Sequence, residues 1–121
     1  MVIQEAAEMY LETILTLKNK LGLVRAVDIA REMGYSKPTI SEQMKKFKEN
    51  GYVEVDNEGH ISLTEKGMEV AASTLERHNV LGEVLQKIGV SKETAIEDAC
   101  RIEHYISEET FNCIKEYFKD K

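Results

Sequence analysis

The chain has 121 residues, enough for one small domain or two small units sharing a core. It is 42% hydrophobic and 31% charged, as a soluble globular protein is, and no apolar run nears the roughly 20 residues needed to cross a bilayer. Net charge is −6, which taken whole argues against nucleic acid, but the acid is concentrated in residues 67–121, with seven basic and eleven acidic side chains; residues 21–66 hold seven against eight.

Residues 3–20 place Ile3, Ala6, Ala7, Tyr10, Leu11, Ile14, Leu15 and Leu17 at helical spacing, and Gly22 ends that helix. "RAVDIAREMG" (25–34) reads as a short helix with Val27, Ile29, Ala30 and Met33 as its apolar set and Gly34 as its stop. In "YSKPTISEQMKKFKENG" Ser36 is the expected N-cap, Pro38 sits in the first turn, and Ile40, Met44 and Phe47 share a face. "YVEVDNEGHISLT" alternates at Val53 and Val55, turns at "DNEG", and alternates again at Ile61 and Leu63, the pattern of a β-hairpin. A long helical pattern follows from Glu65 to Ile88, including Met68, and Gly89 stops it. "SKETAIEDACRIEHYI" then reads as a helix, or two short ones, capped by Ser91. The last helix is capped by Ser107, with Phe111, Ile114 and Phe118 on one face and Cys113 expected in the core.

Two short helices joined by a tight turn, followed by a two-stranded ribbon, is the layout of a winged helix-turn-helix. The expected fold is therefore mostly α: a winged helix-turn-helix with a two-stranded β wing over residues 1–66, then a helical domain over 67–121. The helix at 37–49 becomes the recognition helix. Its open positions carry Ser36, Lys37, Thr39, Ser41, Glu42, Gln43, Lys45 and Lys46, and hydroxyls and lysines suit phosphate oxygens at a helix N-terminus. Gln43 or Glu42 could read base edges. Arg25 and Pro38 complete the expected DNA-facing set. The "KKFK" run and the hairpin weigh against reading this face as merely solvated.

"ACRIEHYIS" (99–107) puts Cys100, Glu103 and His104 at i, i+3 and i+4, one face of a helix. Singly, each has an ordinary reading: a structural thiol, a helix former, a hydrogen-bonded imidazole. Together, in an acidic segment, they form a candidate metal set, which Met9, Glu12 and His78 could join. Thioether, thiol, imidazole and carboxylate suit a borderline transition ion rather than calcium or magnesium. A nucleophilic Cys100–His104 pair lacks any cleft-forming or oxyanion-binding segment, so no enzyme is expected. The acidic, polar N-terminus resembles no signal peptide, and two cysteines fit a reduced, cytoplasmic protein with no membrane partner.

"AEMYLETI", "RAVDIA", "SKPTISEQMKKFKENGYV", "ISLTEKG", "LERHNVL" and "EDACRIEHYIS" occur in this order, and over about residues 3–118 the chain resembles the diphtheria-toxin-repressor and manganese-transport-regulator family. The resemblance implies a homodimeric winged-helix repressor of metal-homeostasis genes, activated by iron(II) or manganese(II) and acting on a palindromic double-stranded operator. In the iron branch the activating ligands fall on Met9, Cys100, Glu103 and His104, all present here. The manganese branch places an aspartate and a glutamate where Met9 and Cys100 stand, and it uses the positions of Glu12 and His78, also kept. The implied cofactor is Fe2+, with Mn2+ as the alternative and Co2+, Ni2+ or Zn2+ as substitutes. The iron branch's ancillary site is not carried over beyond His78, because Gly82 and Ile96 stand at its other positions and Glu83 is one residue off. A second ion would use Glu12, His78 and the main chain near Cys100 or Glu103. No SH3-like domain is expected after Lys121. The rival reading is a winged-helix regulator sensing redox state through Cys100.

Overall fold

A computed structural model describes residues 5–119. Ile3, assigned by its spacing to the first helix, lies outside them. The elements run α1 (Glu5–Leu21), α2 (Ala26–Met33), α3 (Lys37–Glu49), β1 (Val53–Val55), β2 (Ile61–Leu63), α4 (Glu65–Lys87), α5 (Lys92–Ile102) and α6 (Glu108–Phe118). Two compact units divide the chain, one running to Ala72 and one from Ser73, so their boundary falls inside α4. The mostly helical winged helix-turn-helix expected from the sequence is what forms. Among the described residues no helix is long and apolar enough to cross a membrane.

In the first unit, α1 buries Tyr10, Leu11, Ile14, Leu15 and Leu17, the 3–4 spacing that makes one apolar stripe. The α2–α3 connection is short because Gly34 adopts φ 74°, a left-handed cap whose amide donates to Ala30 O. Ser36 then starts α3, its Oγ accepting from the Thr39 amide at 3.3 Å, and α3 buries Ile40, Met44 and Phe47. Phe47 meets Tyr10 and Tyr52 edge-on, at centroid distances of 5.7 and 6.3 Å. Val27, assigned to the apolar face of α2, is instead 42% exposed. It stands two residues before buried Ile29, and on a helix that offset points to the far side.

The hairpin pairs Val53 with Leu63 and Val55 with Ile61. Period-2 alternation buries Val53 and Ile61 and turns Glu54 and Ser62 outward. At the turn, Asp56 Oδ1 accepts the amides of Glu58 and His60 at 2.9 and 2.8 Å. A bond from Ile61 N to Val24 O, 2.7 Å, ties the wing to the segment before α2. Gly67, in the first turn of α4, approaches the Tyr52 carbonyl so closely that any Cβ there would collide with it.

In the second unit, Leu81 of α4, Ala99 of α5 and Phe111 of α6 form a core flanked by Val80, Ile102, Ile106 and Ile114. Ser91 and Ser107 cap α5 and α6, each Oγ accepting the amide of the threonine three residues on. Cys113, expected in the core, is exposed; two residues beyond Phe111, it falls on the opposite face of α6. Met68 and Ile88, counted in the apolar face of α4, are also exposed, at 40% and 63%.

Candidate metal centre and nucleic-acid interface

The ACRIEH segment differs from the helical face expected of it. α5 ends at Ile102, with Cys100 in its last turn and Glu103 as its C-cap. Ile102 O then accepts the amides of both Tyr105 and Ile106, each at 3.0 Å, which closes a turn containing His104 before Ser107 starts α6. Glu103 and His104 therefore project from a turn, not a helix. Glu103 keeps αR geometry (φ −57°, ψ −24°) and its amide still bonds Ala99 O, so the i, i+3 relation to Cys100 survives.

Glu103 is the centre of the cluster. Its side chain is 1% exposed, and a buried carboxylate must be paired or hydrogen-bonded. His78 of α4 supplies one partner, Nδ1 standing 2.9 Å from Oε2. His104 supplies another, Nε2 standing 3.3 Å from Oε1. Cys100 Sγ lies 3.6 Å from the same His78 Nδ1. Thiol, carboxylate and two imidazoles thus converge within one unit, and their donor chemistry fits a borderline divalent transition ion. Met9 and Glu12 belong to α1 in the first unit, one helical turn apart.

Arg77 was not marked by any sequence signal. Its Nη1 donates to the carbonyls of Glu103 and Ile106, at 3.3 and 3.4 Å, and its guanidinium lies 5.8 Å from the Phe111 ring. It clamps the turn that presents Glu103 and His104 to the helix that presents His78.

On the first unit, Ser36, Lys37, Pro38, Thr39, Ser41, Glu42, Lys45 and Lys46 are exposed and Gln43 is half-buried. The Ser36 and Thr39 hydroxyls also bond each other at 2.8 Å, so both sit fixed at the α3 N-terminus. Lys48, the last of the KKFK run and outside the expected set, lines with Ser41 and Lys45 a hollow of about 360 Å³ between α3 and the hairpin. Arg25 is exposed ahead of α2, its amide bonded to Asp28 at 2.9 Å and its guanidinium 3.2 Å from His60. Asp56 holds that histidine in turn; the His60 backbone N–H, working against desolvation and helped by the His60 ring and the Glu58 amide, keeps the Asp56 carboxyl below its ordinary range.

Residues 3–61 match the family description "Iron dependent repressor, N-terminal DNA binding domain", and residues 64–120 match "Iron dependent repressor, metal binding and dimerisation domain". The chain is 34% identical over 112 residues to the transcriptional regulator MntR of Escherichia coli O157:H7, covering 93% of this chain and 72% of that one. It is 32% identical over 106 residues to the iron-dependent repressor IdeR of Mycobacterium tuberculosis, covering 87% of this chain and 46% of that one. Among solved structures, T. acidophilum IdeR superposes with a TM-score of 0.80 at 27% identity over 93% of this chain. A manganese-dependent transcriptional repressor in complex with manganese superposes at 0.83 and 26% over 95%. The chain spans 53% of the length of each of those two structures.

Proposed function

Because the chain belongs to the iron-dependent repressor family, whose descriptions it matches through both the DNA-binding and the metal-binding and dimerisation parts, we propose that it is a homodimeric repressor switched on by iron(II), with manganese(II) as the alternative ion. Metal-dependent, DNA-binding repression is what the family does. Residues 1–66 act as its DNA-binding domain and residues 67–121 as its metal and dimer domain, the operator is a palindromic duplex, and the setting is cytoplasmic. The observation that supports it best is the gathering of His78, Cys100 and His104 around the buried Glu103 carboxylate.

Bound there, a divalent ion supplies positive charge and directed coordination bonds. Glu103 is already held for this role by two imidazoles and by the Arg77 clamp on its carbonyl. Cys100 and the histidines act as ligands only when deprotonated, so activation releases protons and weakens as pH falls. Met9 and Glu12 enter the set on the sequence pattern. They sit on α1, whose Leu11 and Ile14 are buried in the first unit and whose Tyr10 ring meets Phe47 of the recognition helix, so their engagement would make the DNA-binding unit responsive to metal. With these side chains engaged, the arrangement in which two recognition helices match half-sites about one turn of DNA apart would be favoured. Lys37, Lys45 and Lys46 meet phosphate, and Gln43 or Glu42 reads base edges.

The test is removal of the ion. Chelator added to the iron-loaded protein on DNA should release the DNA, and added iron(II) should restore it. If chelator leaves the complex intact while oxidant dissolves it, the switch is the Cys100 thiol and not a metal.

A further inference from the structure

We propose that His60 is a positioning residue for DNA binding, holding the Arg25 guanidinium against the turn of the wing. The inference rests on the reading of Arg25 as a DNA-facing residue. Arg25 Nη2 lies 3.2 Å from His60 Nε2, across 35 positions of sequence. His60 Nδ1 lies 3.0 Å from Asp56 Oδ2, while Asp56 Oδ1 takes the amides of Glu58 and His60. A guanidinium has donors only, so Nε2 must be the acceptor. The ring hydrogen is then on Nδ1, where it donates to Asp56. Each donor in the chain Arg25, His60, Asp56 meets an acceptor, and the neutral imidazole tautomer is fixed by both neighbours.

The wing does not need this chain of bonds to stay in place. Backbone bonding from Ile61 N to Val24 O, with Val24, Val53 and Ile61 buried, already seats the hairpin beside the segment before α2. That bond sets Arg25 and His60, the residues next to it, within reach of each other. What the imidazole adds is a fixed direction for the arginine. A free arginine loses much rotamer freedom when it engages phosphate, and one held in advance binds without that penalty. The His60 side chain is 17% exposed while the Asp56 side chain, at 55%, faces solvent, so the imidazole itself is sheltered while Arg25 stays accessible.

The test is a double-mutant cycle on the iron-loaded dimer, anaerobic and with iron(II) in excess, binding a short duplex of arbitrary sequence over a range of salt. Arg25→Ala should weaken binding by about tenfold and lower the salt slope by about one. His60→Ala should give most of that loss alone, and the double variant should be no weaker than Arg25→Ala. His60→Gln, whose carbonyl accepts from Arg25 and whose amide donates to Asp56, should restore binding. His60→Leu, which keeps bulk without an acceptor, should behave like alanine. If His60→Leu binds like the parent while Arg25→Ala does not, or if the two losses simply add, the inference fails and the DNA role of Arg25 stands. If Arg25→Ala itself binds like the parent, the reading of Arg25 fails and takes the inference with it.

Discussion

The Glu103 carboxylate and the His78 imidazole stand 2.9 Å apart, Oε2 to Nδ1, in a site where the Glu103 side chain is 1% exposed. A carboxylate so placed is stable only with partners, and a metal ligand is useful only if it is held ready. Glu103→Gln keeps the shape and removes the charge. It should preserve the helical circular dichroism and lower metal affinity by at least about 100-fold. Unchanged affinity in a folded variant would remove Glu103 from the ligand set.

Arg77 gives a subtler test, because it touches no side-chain ligand atom of the proposed set. One nitrogen serves two carbonyls, Glu103 O and Ile106 O. Arg77→Lys retains the charge and loses the planar group that lies against Phe111. Metal affinity should fall by about tenfold, as outer-shell changes do, with only a small drop in melting temperature. A full loss of folding would mean that the clamp is structural first.

The recognition helix should act on phosphate without regard to sequence. Lys37→Ala and Lys45→Ala, both at exposed positions, should each weaken binding to every duplex and lower the salt slope by about one. A loss confined to one operator sequence would instead make the altered lysine a base reader.

The wing turn carries its own pH dependence. The Asp56 carboxyl is held low chiefly by the His60 amide, so the ionised form is favoured in the folded turn. A depressed folded pKa contributes stability above the ordinary carboxylate value, and that contribution is lost as pH falls through the depressed one. The Asp56 side-chain carboxyl carbon signal should therefore move only below about pH 4 in the folded protein. In Asp56→Asn that movement should vanish; its persistence would assign it to another group.

Much of this fold is written in short-range signals. Ser36, Ser91 and Ser107 each precede a threonine by three positions, and each caps a helix; "DNEG" between two alternating pairs makes the wing. Periodicity failed where a helix ends without a glycine or proline. Glu103 keeps helical dihedrals one residue past Ile102, so its spacing from Cys100 is the same in a helix and in the turn that replaces it. Exposure failed where an apolar residue sits two positions from a buried one, as at Val27 and Cys113. The Arg77 and Arg25–His60 contacts join residues 26 to 35 positions apart, and no local pattern announces them. His78 is a candidate ligand by residue type alone; its place beside both Glu103 and Cys100 is a property of the fold.

The most direct test of the account is an anaerobic titration of the apo-protein with iron(II) and, separately, manganese(II), reading bound metal and DNA affinity together, in the parent and in Met9→Ala and Cys100→Ala. The account predicts that iron(II) binds more tightly, that DNA affinity rises as metal loads, and that both variants lose the response while remaining folded. DNA affinity that does not change with either ion, or variants that respond as the parent does, would contradict it.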